Sequence, residues 1–351
     1  MSDAPGDVAP PTRALLLGAG LGTRMLPYTR HTPKALFPFL NVPLLEHGLA
    51  LLARHGVHTV VVNAHHLAAQ VVEHVARRAE QHDDGLHVEV VIEERLLGTG
   101  GGVRGMARRL DELHPAAARE PVLLLACDVL APFDLFALAA RHAEARREFG
   151  TEATMGLVTA ADIHRYGAVD VGDDMQLTDI VGRHGRPGAW RAVNGSVHLL
   201  ERDFVDALPE GPGCLVRDGY LPRLAAGAPC AAWTHAGPWR EVGTPALMLE
   251  AQRAALSGTL PVDPDVRKRG GRHVTGNMVH PGARVHEDAR LLDGTVVGPG
   301  VEVGAGAELR GCLVLPGARV EAGRRHDHCI LDAADGHVAG RAPLAGQAVG
   351  S

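Results

Sequence analysis

The sequence predicts an α/β domain with a mainly parallel sheet, followed by a short domain built from a six-residue repeat. Three observations support this prediction. Short apolar runs alternate with amphipathic segments over the first two-thirds of the 351-residue chain, which is typical of parallel strands joined by helices. A glycine-rich loop follows the first apolar run. Near the C-terminus, aliphatic residues recur at every sixth position, which indicates a repeat architecture.

Composition narrows the classes of protein that this chain can be. Hydrophobic residues make up 46% of the chain and aromatic residues only 3%, so we expect a core of Leu, Val and Ala. The formal net charge of −6 implies no general affinity for nucleic acid. The N-terminus has no apolar segment typical of a signal peptide, and no apolar stretch is long enough to span a membrane. Five widely spaced cysteines without a C-x-x-C pair favour a cytoplasmic protein over a disulfide-bonded or zinc-ribbon one.

The apolar pattern predicts the secondary-structure elements in order along the chain. Predicted strands cover residues 14–17, 59–62, 88–92, 122–126 and 153–159. Predicted helices cover residues 44–55, 67–79, 133–145 and 245–255, with one more beginning at about Val103. Because helices alternate with the strands, we expect a mainly parallel sheet that is covered on both faces.

The loop after the first strand contains Gly18, Gly20 and Gly22, and two cations, Arg24 and Lys34, follow it. Glycines allow a backbone to turn tightly and to bring its N–H groups close to a phosphate. A loop of amides beside two positive charges therefore predicts a polyphosphate site. Neither the Rossmann spacing of three glycines nor the Walker motif is present.

The full string G-x-G-T-R followed by P-K resembles the signature of the sugar-1-phosphate nucleotidylyltransferases. The resemblance covers about residues 13–255 and implies the nucleotide-diphospho-sugar transferase fold, with a Rossmann-like, mainly parallel sheet. It also implies that residues of the first loop bind the nucleotide. These residues are Leu17, Gly18, Ala19, Gly20, Gly22 and Thr23.

A second glycine-rich stretch, residues 93–102, follows the third predicted strand. It resembles the family's L-G-T-x-G loop, which cradles the base and ribose of the nucleotide. We expect this stretch to be a loop that enters a helix at about Val103. The nucleotide-binding residues that the resemblance implies here are Glu94, Gly98, Thr99 and Gly100.

Two carboxylates are candidates for holding Mg²⁺. Asp128 follows the apolar strand 122–126, and the carboxyl ends of strands are where sites gather in such sheets. The family usually has Gly-Asp here, whereas this chain has Cys127. Glu241 occupies the Asp position of a segment that resembles the family's Trp-x-Asp-x-Gly-Thr motif. The resemblance implies that Asp128 and Glu241 bind the metal.

The implied sugar-phosphate site departs further from the family pattern. Gly167 belongs to a Tyr-Gly pair that resembles the family's sugar-side hairpin. Arg183 lies where the family commonly has a phosphate-binding lysine, and Arg and Lys are not equivalent phosphate ligands. Asn194 and Gly195 resemble the family's Asn-Ala-Gly strand, with the asparagine shifted by one position. These four residues are the sugar-phosphate candidates.

The C-terminal repeat has aliphatic residues spaced six apart. They are Val279, Val285, Leu291, Val297, Val303, Leu309 and Leu315. The repeat resembles the left-handed parallel β-helix built from hexapeptides, at about eighteen residues per coil. The predicted organisation is a disordered leader over residues 1–12, a catalytic domain over 13–255, a linker over 256–278, the β-helix over 279–332 and a loose tail over 333–351.

The resemblance implies an enzyme that joins a nucleoside triphosphate to a sugar 1-phosphate and releases pyrophosphate, with Mg²⁺ as cofactor. Arg24 would offset charge on the leaving pyrophosphate, and Lys34 would neutralise oxygens of the α-phosphate or the sugar phosphate. The combination with a short repeat domain favours GTP and a mannose- or heptose-type sugar. A homo-oligomer formed through the β-helix is the expected assembly.

Several alternatives stay open on the sequence alone. Uridylyl, thymidylyl or adenylyl transfer to another sugar 1-phosphate is one. A regulatory homologue that only binds a nucleotide sugar is another, because several motif positions differ from the family. An acyltransferase would need a longer β-helix, although His280 and His286 lie in the first repeats. The pairs His65–His66 and His326–His328 lack a second ligand pair for a metal, so we expect surface or packing roles for them.

Overall fold

The computed structural model describes residues 10–82, 84–159, 163–333 and 338–339. The described chain divides into two compact units. Unit 1 joins the chain up to Leu21 with Gly48–Trp239, and unit 2 joins Gly22–His47 with the chain from Arg240 onwards. Most of the predicted leader and nearly all of the predicted tail lie outside the described residues. Among the described residues, no helix is long and apolar enough to cross a membrane.

Unit 1 contains a nine-stranded sheet within the described residues. Its strands are β1 (Arg13–Leu17), β2 (Thr59–Ala64), β3 (His87–Ile92), β4 (Val122–Ala126), β5 (Ala153–Val158), β6 (Ala168–Val171), β7 (Leu177–Ile180), β8 (Trp190–Leu200) and β9 (Ala231–His235). The order is β7-β6-β8-β4-β1-β2-β3, and β5 pairs with both β8 and β9. Strands β1 to β4 are mutually parallel, whereas β8 runs antiparallel to β4. The predicted α/β class with a parallel sheet at its centre is confirmed.

The described helices lie between these strands along the chain and, in the case of α8 and α9, in unit 2. They are α1 (Leu44–Arg54), α2 (Ala68–Gln81), α3 (Gly98–Leu113), α4 (Leu135–Phe149), α5 (Ile163–Tyr166), α6 (Arg202–Asp206), α7 (Leu221–Ala226), α8 (Pro245–Leu256) and α9 (Pro264–Gly270). Side-chain caps begin α4 and α8, because Asp134 accepts from the amide of Ala137 and Thr244 from that of Leu247. The core of unit 1 is aliphatic, as the composition predicts, with Leu15, Val61 and Leu124 among its buried residues.

Helix α3 corrects one prediction. The glycine-rich stretch does not form a loop up to Val103, because α3 begins at Gly98. Glycine is a poor helix former, but here the backbone of residues 211–214 lies directly against the first turns. A Cβ atom at Gly101 would overlap the carbonyl oxygen of Gly211, and one at Gly100 would lie 3.0 Å from the carbonyl carbon of Gly213. The glycines therefore allow close packing of the helix on another segment.

Unit 2 contains a parallel β-helix, in agreement with the six-residue repeat. Its described strands stack on three faces. The first face holds Asn277–Val279, Val296–Val297, Leu313–Val314 and Ile330–Leu331, with Arg272–Val274 and Val338–Ala339 as antiparallel edge strands. The second face holds Arg284–Val285, Glu302–Val303 and Arg319–Val320. The third face holds Arg290–Leu292, Glu308–Arg310 and Arg325–Asp327.

The repeat changes length after its first coil. Stacked residues are 18 apart between the first and second coils and 17 apart between the second and third. Val314, not the predicted Leu315, therefore stacks on Val297. The change in length arises at the turn that follows the third face of each coil. The first coil turns through two left-handed residues, 293 and 294, whereas the next turns through Gly311 alone.

The segment predicted as a linker, residues 256–278, has secondary structure of its own. It contains α9 and the edge strand Arg272–Val274. Asp263 caps α9 by accepting from the amides of Asp265 and Val266. Several shorter elements lie between these helices and strands. They are the 3₁₀ helices Thr23–Met25, Tyr28–Arg30, Lys34–Leu36 and Pro115–Ala117, the π-helical turn Leu215–Tyr220, and the two-residue strands Pro38–Phe39, Val42–Pro43, Val129–Leu130 and Arg240–Glu241.

Candidate active site

The glycine loop after β1 is fixed by an asparagine from the neighbouring strand. The backbone amides of Gly18 and Ala19 donate to Oδ1 of Asn63, at 2.8 and 3.1 Å. Asn63 lies near the carboxyl end of β2 and is buried. The loop therefore leaves the sheet in a direction that the adjacent strand sets.

A buried carboxylate extends this network to α3. Nδ2 of Asn63 donates to Oε1 of Glu93 at 2.7 Å, and the amide of Leu97 donates to Oε2 at 2.9 Å. Glu93 is only 4% exposed, so these donors stabilise a charge that burial would otherwise penalise. Sequence reasoning missed both Asn63 and Glu93. The available signal was a polar residue at the carboxyl end of each of two apolar strands.

The second set of predicted nucleotide-binding residues lies at the beginning of α3. Gly98 is left-handed, with φ of 67°. The hydroxyl of Thr99 accepts from the amide of Leu215 at 2.9 Å, and the amide of Gly100 donates to the carbonyl of Gly213 at 2.9 Å. Glu94 is exposed. The Thr99 hydroxyl therefore has a structural hydrogen bond, which joins the beginning of α3 to Leu215.

Asp128 follows β4 in unit 1, as predicted, and is half-buried. The amide of the preceding Cys127 donates to the carbonyl of Leu17 at 3.0 Å, which ties the end of β4 to the end of β1. Cys127 itself is buried, in agreement with a packing role. Asp128 and the loop after β1 thus leave adjacent parallel strands at the same edge of the sheet.

Two predicted site residues meet in unit 2. Nη2 of Arg24 donates to Oε1 of Glu241 at 2.9 Å, and the arginine side chain is 60% exposed whereas the glutamate is 16% exposed. Gly22 lies two residues before Arg24 in the chain and has φ of 62°. Its carbonyl accepts a hydrogen bond from the hydroxyl of Thr29 at 2.8 Å. Thr23 is exposed.

Lys34 also lies in unit 2, on the same stretch of chain as Arg24. It begins the 3₁₀ helix Lys34–Leu36, and its carbonyl accepts from the amide of Phe37 at 3.0 Å. Ala35 and Phe37 are buried on either side of this turn. Their burial anchors the backbone from which the lysine side chain extends.

The sugar-phosphate candidates lie in unit 1, on or beside the paired strands β6, β7 and β8. Gly195 lies where the pairing of β8 with β5 shifts register, and its carbonyl accepts a hydrogen bond from Nε1 of Trp239 at 3.1 Å. Oδ1 of the neighbouring Asn194 accepts from the amide of Ser196 at 2.8 Å. Arg183 is exposed in the turn after β7. Among the described residues, no hydrogen bond or ion pair joins Arg183 to Asn194 or Gly195. Gly167 has φ of 84°, which only glycine adopts without strain.

The side chains that could bind a metal are dispersed among the described residues. No group of three or more His, Cys, Asp or Glu side chains is placed to hold a metal in the part of the chain that the structure describes. His65 hydrogen-bonds the carbonyl of Glu93, and the ring nitrogens of His328 lie 3.4 Å from Oδ2 of Asp293 and 2.8 Å from Oδ1 of Asp327. Both histidines therefore have partners within the fold.

Comparison with known proteins assigns the family. A family model described as "Nucleotidyl transferase" matches residues 13–258. The chain belongs to the nucleotidyl transferase family. It is 31% identical to the mannose-1-phosphate guanylyltransferase of Mycobacterium tuberculosis, over 91% of this chain and 82% of that protein. It is 29% identical to mannose-1-phosphate guanylyltransferase catalytic subunit beta of Drosophila pseudoobscura pseudoobscura, over 91% and 83%.

The solved structures agree with the fold. HddC from Yersinia pseudotuberculosis, in a crystal structure described as complexed with GMP-PN, gives a TM-score of 0.53 at 19% identity and covers 68% of this chain and 97% of its own. Another HddC crystal structure gives a TM-score of 0.54. At this identity the match supports the fold of the nucleotidyl transferase family and no finer property. The predictions of family, fold class and enzyme class are confirmed.

Proposed function

We propose that this nucleotidyltransferase transfers a guanylyl group from GTP to a mannose- or heptose-type sugar 1-phosphate and releases pyrophosphate. The observation that carries the proposal is the similarity to named mannose-1-phosphate guanylyltransferases over 91% of the chain. An anionic oxygen of the sugar phosphate attacks the α-phosphorus in line with the leaving pyrophosphate. Because that oxygen is already charged, the reaction needs no general base, and catalysis comes from alignment and neutralisation of charge.

The nucleotide would bind along the loop after β1 and the beginning of α3. The amides of Gly18 and Ala19 already donate to Asn63, so we assign the phosphate contacts of this loop to the backbone from Gly20 to Thr23. Leu17 and Ala19 shape the loop around the nucleotide. The base and ribose would lie against the residues at the beginning of α3, which are Glu94, Gly98, Thr99 and Gly100.

Arg24 and Lys34 would supply the positive charge that the reaction requires. Arg24 would act on the leaving pyrophosphate, and Lys34 on the α-phosphate or the sugar phosphate. The ion pair with Glu241 supports an oriented guanidinium, because a charge-assisted hydrogen bond restricts the long side chain. Gly167, Arg183, Asn194 and Gly195 stay the proposed contacts to the sugar phosphate.

Asp128 and Glu241 are the residues that would hold Mg²⁺. Their donor set fits the ion in type, because Mg²⁺ binds through one or two carboxylates together with substrate phosphates. The ion, when bound, neutralises charge on the triphosphate. A cytoplasmic location and a homo-oligomer formed through the β-helix also stay predictions.

The test is pyrophosphate release by the variants Lys34→Ala and Asp128→Asn with GTP and mannose 1-phosphate. We expect turnover to fall by about 10²-fold or more in each, because each removes a charge that acts in the transition state. Lys268→Ala and Asp265→Asn are matched controls, since these residues form an exposed ion pair on α9, and they should keep wild-type turnover. Wild-type turnover in Lys34→Ala or Asp128→Asn would contradict the proposal.

A further inference from the structure

The first face of the β-helix is apolar on its outer side. Strand residues alternate between the two sides of a sheet, and Val279, Val297, Val314 and Leu331 line the interior. Their neighbours therefore point outward. These neighbours are Met278, Val296, Leu313 and Ile330, which are at most 1% exposed. An outward-facing row with this little exposure must be covered by other parts of unit 2.

The second face of the β-helix is charged and exposed on its outer side. Its outward side chains are charged, and Arg284 pairs with Glu302 at 3.1 Å, which in turn lies 3.9 Å from Arg319. Both arginine side chains are at least 80% exposed. Only the first of these two faces is therefore built to pack against protein.

The segment Gly22–His47 contributes to this cover through two polar side chains. The hydroxyl of Tyr28 donates to the carbonyl of Ile330 at 3.2 Å. Nδ2 of Asn41 donates to the carbonyl of Val297 at 3.0 Å and to that of Gly270 at 2.9 Å. Burial raises the pKa of Tyr28 to about 12, with a smaller contribution from Cys329 and Asp332, so its hydroxyl keeps its proton at neutral pH.

This segment has little regular structure to hold its own shape. It consists of three short 3₁₀ helices, a hairpin of two-residue strands and the first turn of α1. Most of its apolar side chains are nonetheless almost completely buried. They are Met25, Tyr28, Ala35, Phe37, Phe39, Leu40, Val42, Leu44 and Leu45. The same segment carries Arg24 and Lys34, so the positions of both cations depend on what the segment packs against.

We propose that the β-helix serves as the scaffold of the catalytic segment, and that Tyr28 and Asn41 are positioning residues that hold Arg24 and Lys34 through their bonds to its apolar face. The proposal rests on the proposed function, since it requires the two cations to act on substrate. It extends that function because it assigns the repeat domain a role in turnover, which is to position the segment that carries Arg24 and Lys34.

Three variants test the proposal. Tyr28→Phe removes one hydroxyl and keeps the ring. Asn41→Gly removes both amide bonds and tolerates the left-handed backbone, φ of 63°, at this position. Thr295→Val is the matched control, because Thr295 is fully buried and its hydroxyl bonds within the β-helix, to the carbonyls of Leu292 or Leu309 and from the amide of Cys312.

We expect Tyr28→Phe and Asn41→Gly to lower kcat by about fivefold to tenfold with KM for GTP within about twofold, the effect of losing one or two hydrogen bonds that align a catalytic group. Thr295→Val should lower the Tm but leave kcat unchanged. In an Arg24→Lys background the effect of Tyr28→Phe should shrink, because both changes act on the same group.

Hydrogen exchange gives a readout that does not depend on activity. Amides in residues 22–47 should exchange about tenfold faster in Tyr28→Phe and Asn41→Gly than in Thr295→Val. Unchanged exchange in this segment, or a loss of kcat in Thr295→Val as large as in Tyr28→Phe, would overturn the proposal. Failure of the proposed function shows differently, as an inactive wild type or as full turnover in Lys34→Ala.

Discussion

Arg24 and Glu241 are 217 residues apart in the sequence, yet their side chains form an ion pair at 2.9 Å. The sequence predicts each residue separately, one as a cation for phosphate and the other as a metal ligand. It cannot predict their contact, because nothing local to either residue specifies the other. We propose that this contact gives Glu241 a second role beside the proposed metal binding, which is to orient the guanidinium of Arg24.

The variant Glu241→Gln tests this task. The amide oxygen can still accept from Arg24, but a neutral acceptor holds a guanidinium less firmly than a carboxylate does. We expect kcat for pyrophosphate release to fall by about tenfold or more, which corresponds to about 1.4 kcal/mol. Glu302→Gln is the control, since Glu302 pairs with Arg284 on an exposed face of the β-helix. An unchanged kcat in Glu241→Gln would rule out both of its assigned tasks.

At the scale of elements, the apolar pattern located most strands and helices correctly. β4 occupies the predicted residues Val122–Ala126, and α1 ends one residue before its predicted end. These elements are determined by local periodicity and burial. The beginning of α3 was predicted wrongly, because its glycines pack against the distant backbone of residues 211–214. The shortened second coil was missed for a similar reason, since one residue fewer at a corner leaves the apolar spacing almost unchanged.

Two glycines of α3 provide a matched pair of variants. A Cβ atom at Gly105 has nothing within 4 Å, so Gly105→Ala should raise the free energy of unfolding by about 0.5–1 kcal/mol through helix propensity. A Cβ atom at Gly101 would overlap the carbonyl oxygen of Gly211, so Gly101→Ala should lower it by about 1–3 kcal/mol. Urea unfolding measures both. Stabilisation by Gly101→Ala would contradict the packing described for this helix.

At the scale of the whole molecule, the predicted site residues are divided between the two units. Gly18, Gly20 and Asp128 belong to unit 1, whereas Arg24 and Lys34 belong to the unit that contains the β-helix. A linear reading of the chain assigns them all to one catalytic domain, because the β-helix follows in sequence. The structure groups Arg24 and Lys34 with the β-helix in unit 2, which supports the proposed role of the repeat domain.

Each unit also contains a histidine whose pKa is lowered by burial. Burial lowers the pKa of His198 in unit 1 to about 3 and that of His47 in unit 2 to about 4. Below pH 6.5, the usual histidine pKa, the unfolded chain binds protons that the folded chain does not. Stability is therefore complete above about pH 6.5 and falls as the pH decreases, by about 3 kcal/mol for each histidine at pH 4.

Urea unfolding at pH 7, 6, 5 and 4 checks this expectation. His198→Gln and His47→Gln should each make the decline in stability shallower, because each removes a group that takes up a proton only on unfolding. A wild-type free energy of unfolding that stays constant from pH 7 to pH 4 would contradict the expectation.

The most direct test of the proposed function is pyrophosphate release in the presence of Mg²⁺, measured for four nucleoside triphosphates against several sugar 1-phosphates. We expect GTP with mannose 1-phosphate or a heptose 1-phosphate to give the highest kcat/KM. A clear preference for another nucleotide would contradict the assignment of GTP. No release with any pair, together with calorimetric binding of a nucleotide sugar, would contradict the enzyme itself and favour a regulatory protein.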